Sequence, residues 1–151
     1  MLGDDPEGED NKVTSLSTRQ KDKEEKIQQI IARLTEESAN GKLVVVEGKK
    51  DVAALKELGV SGKFLTVKTG GKSFLQTTEE IEKSKVNEVV LLLDFDRRGK
   101  EGTLRLKNIL ERVKIKVNLR FYLDLQALVG RDVACIESLP SYLSTLHENV
   151  S

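Results

Sequence analysis

Short apolar runs and longer stretches of helical period alternate along most of this chain. The runs Leu43-Val44-Val45-Val46 and Val89-Val90-Leu91-Leu92-Leu93 are continuous, and turn residues follow both. Continuous β-branched and aliphatic runs of this length predict strands buried on both faces of a parallel sheet. Elsewhere the period lengthens. Ile27, Ile30, Ile31 and Leu34 fall at i, i+3, i+4 and i+7, one face of an amphipathic helix over 22–40 that Asn40-Gly41 ends. The pattern then predicts a strand at 43–47 and a helix at 50–58 with Val52, Leu55 and Leu58 inward. A strand at 63–68, a polar helix at 73–83 and a strand at 88–94 follow. The next helix, at 100–113, carries Leu106, Ile109, Leu110 and Val113 at helical spacing. Ile115, Val117, Leu119, Phe121 and Leu123 alternate with Lys116, Asn118, Arg120 and Tyr122, which predicts a fourth strand over 115–123 with one less covered face. A last helix is expected at 137–147, after a loop around Gly130.

Strands alternating with helices imply right-handed βαβ units. The expected fold is therefore α/β, Rossmann-like, with a four-stranded, mostly parallel sheet flanked by helices and an extra N-terminal helix. The expected organisation is a disordered tail over 1–21, the N-terminal helix over 22–40 and one domain over 41–148. A length of 151 residues suits a single core. With 38% apolar and 33% charged residues, and no apolar stretch near the roughly 18 residues of a membrane span, no membrane partner is expected. The start of the chain lacks the basic-then-apolar order of a secretory signal, and Cys135 has no second cysteine to pair with, so a cytoplasmic location is expected.

Charge is unevenly spread beneath a net charge of zero. Residues 1–40 carry six basic against ten acidic residues, 41–123 eighteen against eleven, and 124–151 one against four. The middle segment is thus basic, which suits an anionic partner such as nucleic-acid phosphate.

That segment also holds the candidate chemistry. The first apolar run ends in Glu47-Gly48-Lys49-Lys50-Asp51 and the second in Asp94-Phe95-Asp96-Arg97-Arg98-Gly99. Ligands of open α/β sheets bind beyond the carboxyl ends of the strands. Asp94 and Asp96, two residues apart, point the same way in extended backbone. With Glu47 from the other strand they form a carboxylate set suited to a hard cation such as Mg2+. Lys49, Lys50, Lys72, Arg97, Arg98 and Lys100 lie in the following loops and are candidates for binding phosphate. Asp51 also reads as an early-helix acid favoured by the helix dipole. Thr69-Gly70-Gly71-Lys72-Ser73 fails as a phosphate-binding P-loop, because Thr66 stands where the motif needs glycine.

The paired motifs, Val46 to Asp51 and Leu93 to Gly99, resemble the two signatures of the Toprim domain, which topoisomerases, bacterial-type DNA primases, the 5S ribosomal RNA maturase, old-family nucleases and recombination-repair proteins share. Leu128 to Val133 and Ile136 to Leu139 are similar to the C-terminal region of small stand-alone archaeal-type Toprim proteins, so the likeness covers about 42–146. The resemblance implies Asp94 and Asp96 as the Mg2+ ligands (Mn2+ as a substitute) and Glu47 as general acid/base or metal contact. It also implies a further acid after the fourth strand, for which Asp124 and Asp132 are both available. Nuclease-like RNA processing follows from it, with a non-catalytic metal- and nucleic-acid-binding module as the alternative. Tyr122 and Tyr142 read as packing residues rather than topoisomerase nucleophiles, and one cysteine excludes a zinc module of the primase kind. Cys135 reads as buried packing and His147 as a surface residue. The N-terminal helix is expected to dock on its own sheet, or else to recruit a protein partner.

Overall fold

The structure, a computed structural model, describes residues 8–150. In chain order it contains α1 (Gly8–Ala39), β1 (Leu43–Val46), α2 (Lys49–Glu57), β2 (Phe64–Thr66), α3 (Phe74–Lys83), β3 (Glu88–Leu92), α4 (Arg97–Arg112), β4 (Lys116–Asn118), α5 (Arg120–Val129) and α6 (Leu139–Val150). The four strands form one sheet in the order β2-β1-β3-β4, and every neighbouring pair is parallel. This is the expected α/β architecture. No helix among the described residues is long and apolar enough to cross a membrane.

The two continuous apolar runs are the central strands, and helices cover both of their faces. Val44, Val46, Val90 and Leu92 point into a core shared with α1, α2, α5 and α6. Leu43, Val45, Val89, Leu91 and Leu93 point into a second core beside α3 and α4. Each fully buried aliphatic side chain contributes about 1.5–3 kcal/mol. α1 docks as expected: Ile27, Ile30, Ile31 and Leu34 are all buried against the chain's own fold. Its apolar stripe is thereby used up within the domain.

Two boundaries differ from expectation. α1 begins at Gly8, so residues 8–21 are its first turns rather than part of a tail, and residues 1–7 lie outside the described residues. Those turns carry no apolar periodicity for the pattern to read. The Asp22–Lys26 pair, 3.1 Å apart, adds one turn's worth of support. The fourth strand is also shorter than predicted. Only Lys116–Asn118 pair with β3, and residues from Arg120 onward are helical. Asn118 Oδ1 accepts the Arg120 N–H at 2.9 Å and turns the chain. Phe121, Tyr122, Leu125 and Val129 then bury one helical face, leaving Leu123 exposed.

The topology fixes where a site belongs. β1 and β3 are adjacent, with Val46 opposite Leu92. Yet the helix following β1 packs in the first core and the helix following β3 packs in the second. The two connections therefore diverge and open a crevice at the carboxyl ends of the strands, the usual ligand position in such sheets.

Candidate functional site

Glu47 leaves β1 one residue past Val46, and Asp94 leaves β3 two residues past Leu92. The Asp94 N–H donates to Glu47 Oε2 at 3.3 Å, so the two motifs touch. β2 continues its pairing far enough for Lys68 N–H to donate to the Glu47 carbonyl at 2.9 Å. That register brings Lys68 Nζ to 3.2 Å from Glu47 Oε1, and the hydrogen bond and charge of Glu47 raise the Lys68 pKa. Glu47 is buried, with one oxygen held by each neighbour.

The residue between the two aspartates sets their direction. Phe95 is buried against Tyr122, ring centroids 5.4 Å apart, and its N–H donates to the Ala134 carbonyl at 2.7 Å. The Tyr122 hydroxyl, on α5 rather than a strand, donates to the Asp94 carbonyl at 3.3 Å. With Phe95 anchored inward, Asp94 and Asp96 both border the crevice. Asp96 also caps α4, accepting the Gly99 N–H on Oδ1 at 2.7 Å. Gly99 is required there, because any Cβ would run into the Asp94 carbonyl oxygen.

The crevice has two lobes that meet at Glu47, Lys68 and Asp94. One, of about 470 Å³, reaches Lys49, Lys50, Asp51, Cys135 and Glu137. The other, of about 240 Å³, reaches Lys72, Phe74, Asp96 and Arg98. Asp94 is the electrostatic centre. Its carboxylate accepts no hydrogen bond among the described residues, and burial, followed by the charges of Glu47 and Asp51, pushes its pKa up to about 7. Burial likewise raises Asp51, against the pull of two backbone donors: Gly48 N–H at 3.1 Å on Oδ2 and Glu137 N–H at 2.8 Å on Oδ1. Asp51 thus ties the loop after β1 to the short 3₁₀ turn Ile136–Ser138.

Several expected residues fall inside this frame and others do not. Lys49, Lys50, Lys72 and Arg98 line the lobes, Lys72 while paired to Glu80 at 2.8 Å. Arg97 turns outward to Glu101, and Lys100 is exposed and lines neither lobe. Asp124 pairs with Arg33 of α1, and Asp132 with Lys23 and the Tyr142 hydroxyl, so both acids brace α1 instead of facing the crevice. His147 is exposed as expected, with Nδ1 2.9 Å from Glu24. Cys135 is not buried packing. It is half-buried in the larger lobe, where its sulfur and single oxygens of Asp51 and Glu137 lie within 4.8 Å of one another. Among the described residues, Glu47, Asp94 and Asp96 surround one crevice without closing to that spacing. Sequence reasoning missed Lys68, which it left inside the second strand, and Glu137, although Ile136 to Leu139 belonged to the family likeness.

A hard divalent cation fits this arrangement. The donors at the crevice centre are carboxylate oxygens, and the half-buried Asp94 carboxylate lies close to the like charges of Glu47 and Asp51, a penalty that a cation would remove. A family model for the Toprim domain matches residues 42–121, more than half of the chain. A UPF0292 protein of Methanosarcina barkeri is 34% identical over 81% of this chain and 83% of its own length. Another, from Methanocaldococcus jannaschii, is 36% identical over 80% of this chain and 91% of its own. A solved structure of a protein from Aquifex aeolicus superposes with a TM-score of 0.61 at 24% identity, covering 73% of this chain and 94% of that one, a likeness of fold.

Proposed function

We propose, starting from the fact that the chain belongs to the Toprim domain family, that it cleaves nucleic-acid phosphodiesters with Mg2+ or Mn2+, and RNA in preference to DNA. Family membership carries the coarser statement, a metal-dependent and nucleic-acid-related function. The finer one rests on a single observation: Asp94, half-buried beside Glu47 and with no hydrogen bond to its carboxylate among the described residues, sits at the switch point of the sheet with a basic rim around it. The preference for RNA follows the resemblance of the motifs to an RNA maturase.

Asp94 and Asp96 would hold the cation, Asp96 through the oxygen its helix cap leaves free. When bound, the cation supplies charge neutralisation and orientation of a phosphodiester. The protein's own residues do the rest. Lys49, Lys50, Lys72 and Arg98 grip phosphate oxygens from both lobes. Glu47 is held in place by Lys68 and the Asp94 N–H, where it can carry a proton to or from the reacting oxygen. Asp51 keeps the loop after β1 in register by accepting two backbone N–H groups.

A second reading is a module that binds metal and nucleic acid without cutting. The open spacing of Glu47, Asp94 and Asp96 favours it. Cleavage of a labelled RNA hairpin in Mg2+ separates the two. Glu47→Gln is expected to slow cleavage by about 10²–10⁴-fold, and Asp94→Ala to abolish it along with Mg2+-dependent NMR shifts near 47–51 and 94–99. Undiminished cleavage in both variants would refute the proposal, and binding without cleavage by the wild type would establish the second reading.

A further inference from the structure

Basic residues continue beyond the crevice along one face of α4. Arg98, Gly102, Arg105, Ile109 and Arg112 follow at i, i+4, i+7, i+11 and i+14, which places them in one line. The smaller lobe of the crevice already includes Arg98, Gly102 and Phe74. Phe74 lies so close over Gly102 that a Cβ there would meet its Cζ at 3.2 Å. The Arg105 guanidinium carbon stands 5.9 Å from the centroid of the same ring. Past this seam a hollow of about 380 Å³ opens between Leu75, Arg105, Asn108, Ile109 and Arg112, with Leu75 66% exposed.

The charge on this face is unbalanced. Among the described residues none of Arg98, Arg105 and Arg112 makes an ion pair. Both acids of α4 are engaged, Glu101 with Arg97 and Glu111 with Lys107. An α-helix rises about 1.5 Å per residue, so the three arginines come about 10.5 Å apart over about 21 Å. Phosphates recur at a regular spacing along a nucleic-acid strand, so a line of cations about 21 Å long can engage several of them in succession.

We infer that this face of α4 is a track for the sugar–phosphate backbone of the strand that enters the crevice, running from Arg98 to Arg112, with Phe74 and Leu75 as its apolar side wall. The inference rests on reading the crevice as a nucleic-acid site. Continuity with that crevice and the even spacing of the cations favour a nucleic-acid backbone over an acidic polypeptide, whose charges keep no such register.

The test is binding of the full-length protein to a labelled RNA duplex of about twelve base pairs in metal-free buffer, followed across a salt series. Removing Arg105 and Arg112 together (R105Q with R112Q) is expected to weaken binding about tenfold at low salt and to reduce the slope of log affinity against log salt by about two. Lys56→Gln with Arg131→Gln, the same charge change elsewhere on the surface, should leave the slope alone. An unchanged slope in the arginine variant overturns the track, as does an equal loss in the lysine–arginine control. Arginine-dependent binding of poly-glutamate with the same slope as RNA also overturns it, in favour of an acidic protein partner. The two proposals fail separately. Arginine-dependent slopes without Mg2+-dependent cleavage keep the track and remove the nuclease reading, whereas Asp94-dependent cleavage with unchanged slopes does the reverse.

Discussion

Around Asp94 the fold gathers Glu47, Asp51 and Asp96, and burial, followed by those like charges, pushes its carboxyl up to about 7. Around Asp132 it gathers Lys23 at 3.2 Å and the Tyr142 hydroxyl at 3.1 Å, and those hydrogen bonds hold the carboxyl below its ordinary value. The second arrangement recurs along α1, where Arg33 meets Asp124 at 3.4 Å and Glu24 meets His147 at 2.9 Å. Acids on the α1 face are matched to Lys, Arg or hydrogen-bonding partners on the facing element and fasten helices together. In the crevice, Glu47 keeps Lys68 as its partner, while Asp94 and Asp51 are set against neighbouring acids and against their own burial. A fold keeps such a cluster only when the surrounding core overcomes its repulsion, and perturbed carboxyls of this kind concentrate at functional sites. The difference separates bracing from chemistry more sharply than residue type does.

Crowding at the crevice gives the largest expected effect. Gly99→Ala forces a methyl group into the Asp94 carbonyl, and overpacking of this sort costs about 1–3 kcal/mol. The thermal midpoint should fall by about 2–12 °C, and the stabilisation conferred by Mg2+ should fall with it. A midpoint unchanged from wild type would mean that the loop after β3 yields freely, and that the crevice is less tightly held than the α1 face.

Next comes relief of charge. Asp94 ionises near 3.8 in the unfolded chain and near 7 in the folded one. The folded state therefore holds the extra proton between those values, stability falls as pH rises through that window, and the full penalty stands above about pH 7. Asp94→Asn removes it. Wild type and variant should melt together only below about pH 3.8, and the variant should be about 2–4 °C higher at pH 8, near 1 kcal/mol once solvent screening is allowed for. Mg2+ should close that gap by stabilising only the wild type. A variant less stable than wild type at pH 8 without metal would erase the contrast with Asp132.

How much of this was legible depends on how local each signal is. β1 and β3 could be read because strands buried on both faces need continuous apolar residues, and the acids at their ends needed only a spacing of two to share a direction. α5 could not. Val117, Leu119, Phe121 and Leu123 alternate as a strand would, and only the Asn118 side chain taking the Arg120 N–H shows that the chain turns there. Lys68, Cys135 and Glu137 reach the crevice through β2 pairing and the fold-back after α5, long-range events that leave no periodicity behind. Asp124 and Asp132 were plausible ligands by type and position in the chain, and only the docking of α1 shows that Arg33 and Lys23 claim them.

The smallest effect belongs to the α1 face and tests the comparison from its other side. Asp132→Asn removes an exposed, charge-assisted pair, worth about 0.2–1 kcal/mol. Because the Asp132 carboxyl is lowered in the folded state, its contribution is complete above the ordinary carboxylate range and is lost as pH falls through the lowered value. The variant should therefore melt up to about 2–4 °C below wild type at pH 7. That deficit should shrink toward acid pH, and also in about 1 M salt, where the screening length is about 3 Å. Its response to Mg2+ should match that of the wild type. A lost Mg2+ response would show Asp132 acting with the crevice acids, and pairing with Lys23 would then no longer mark an acid as a brace.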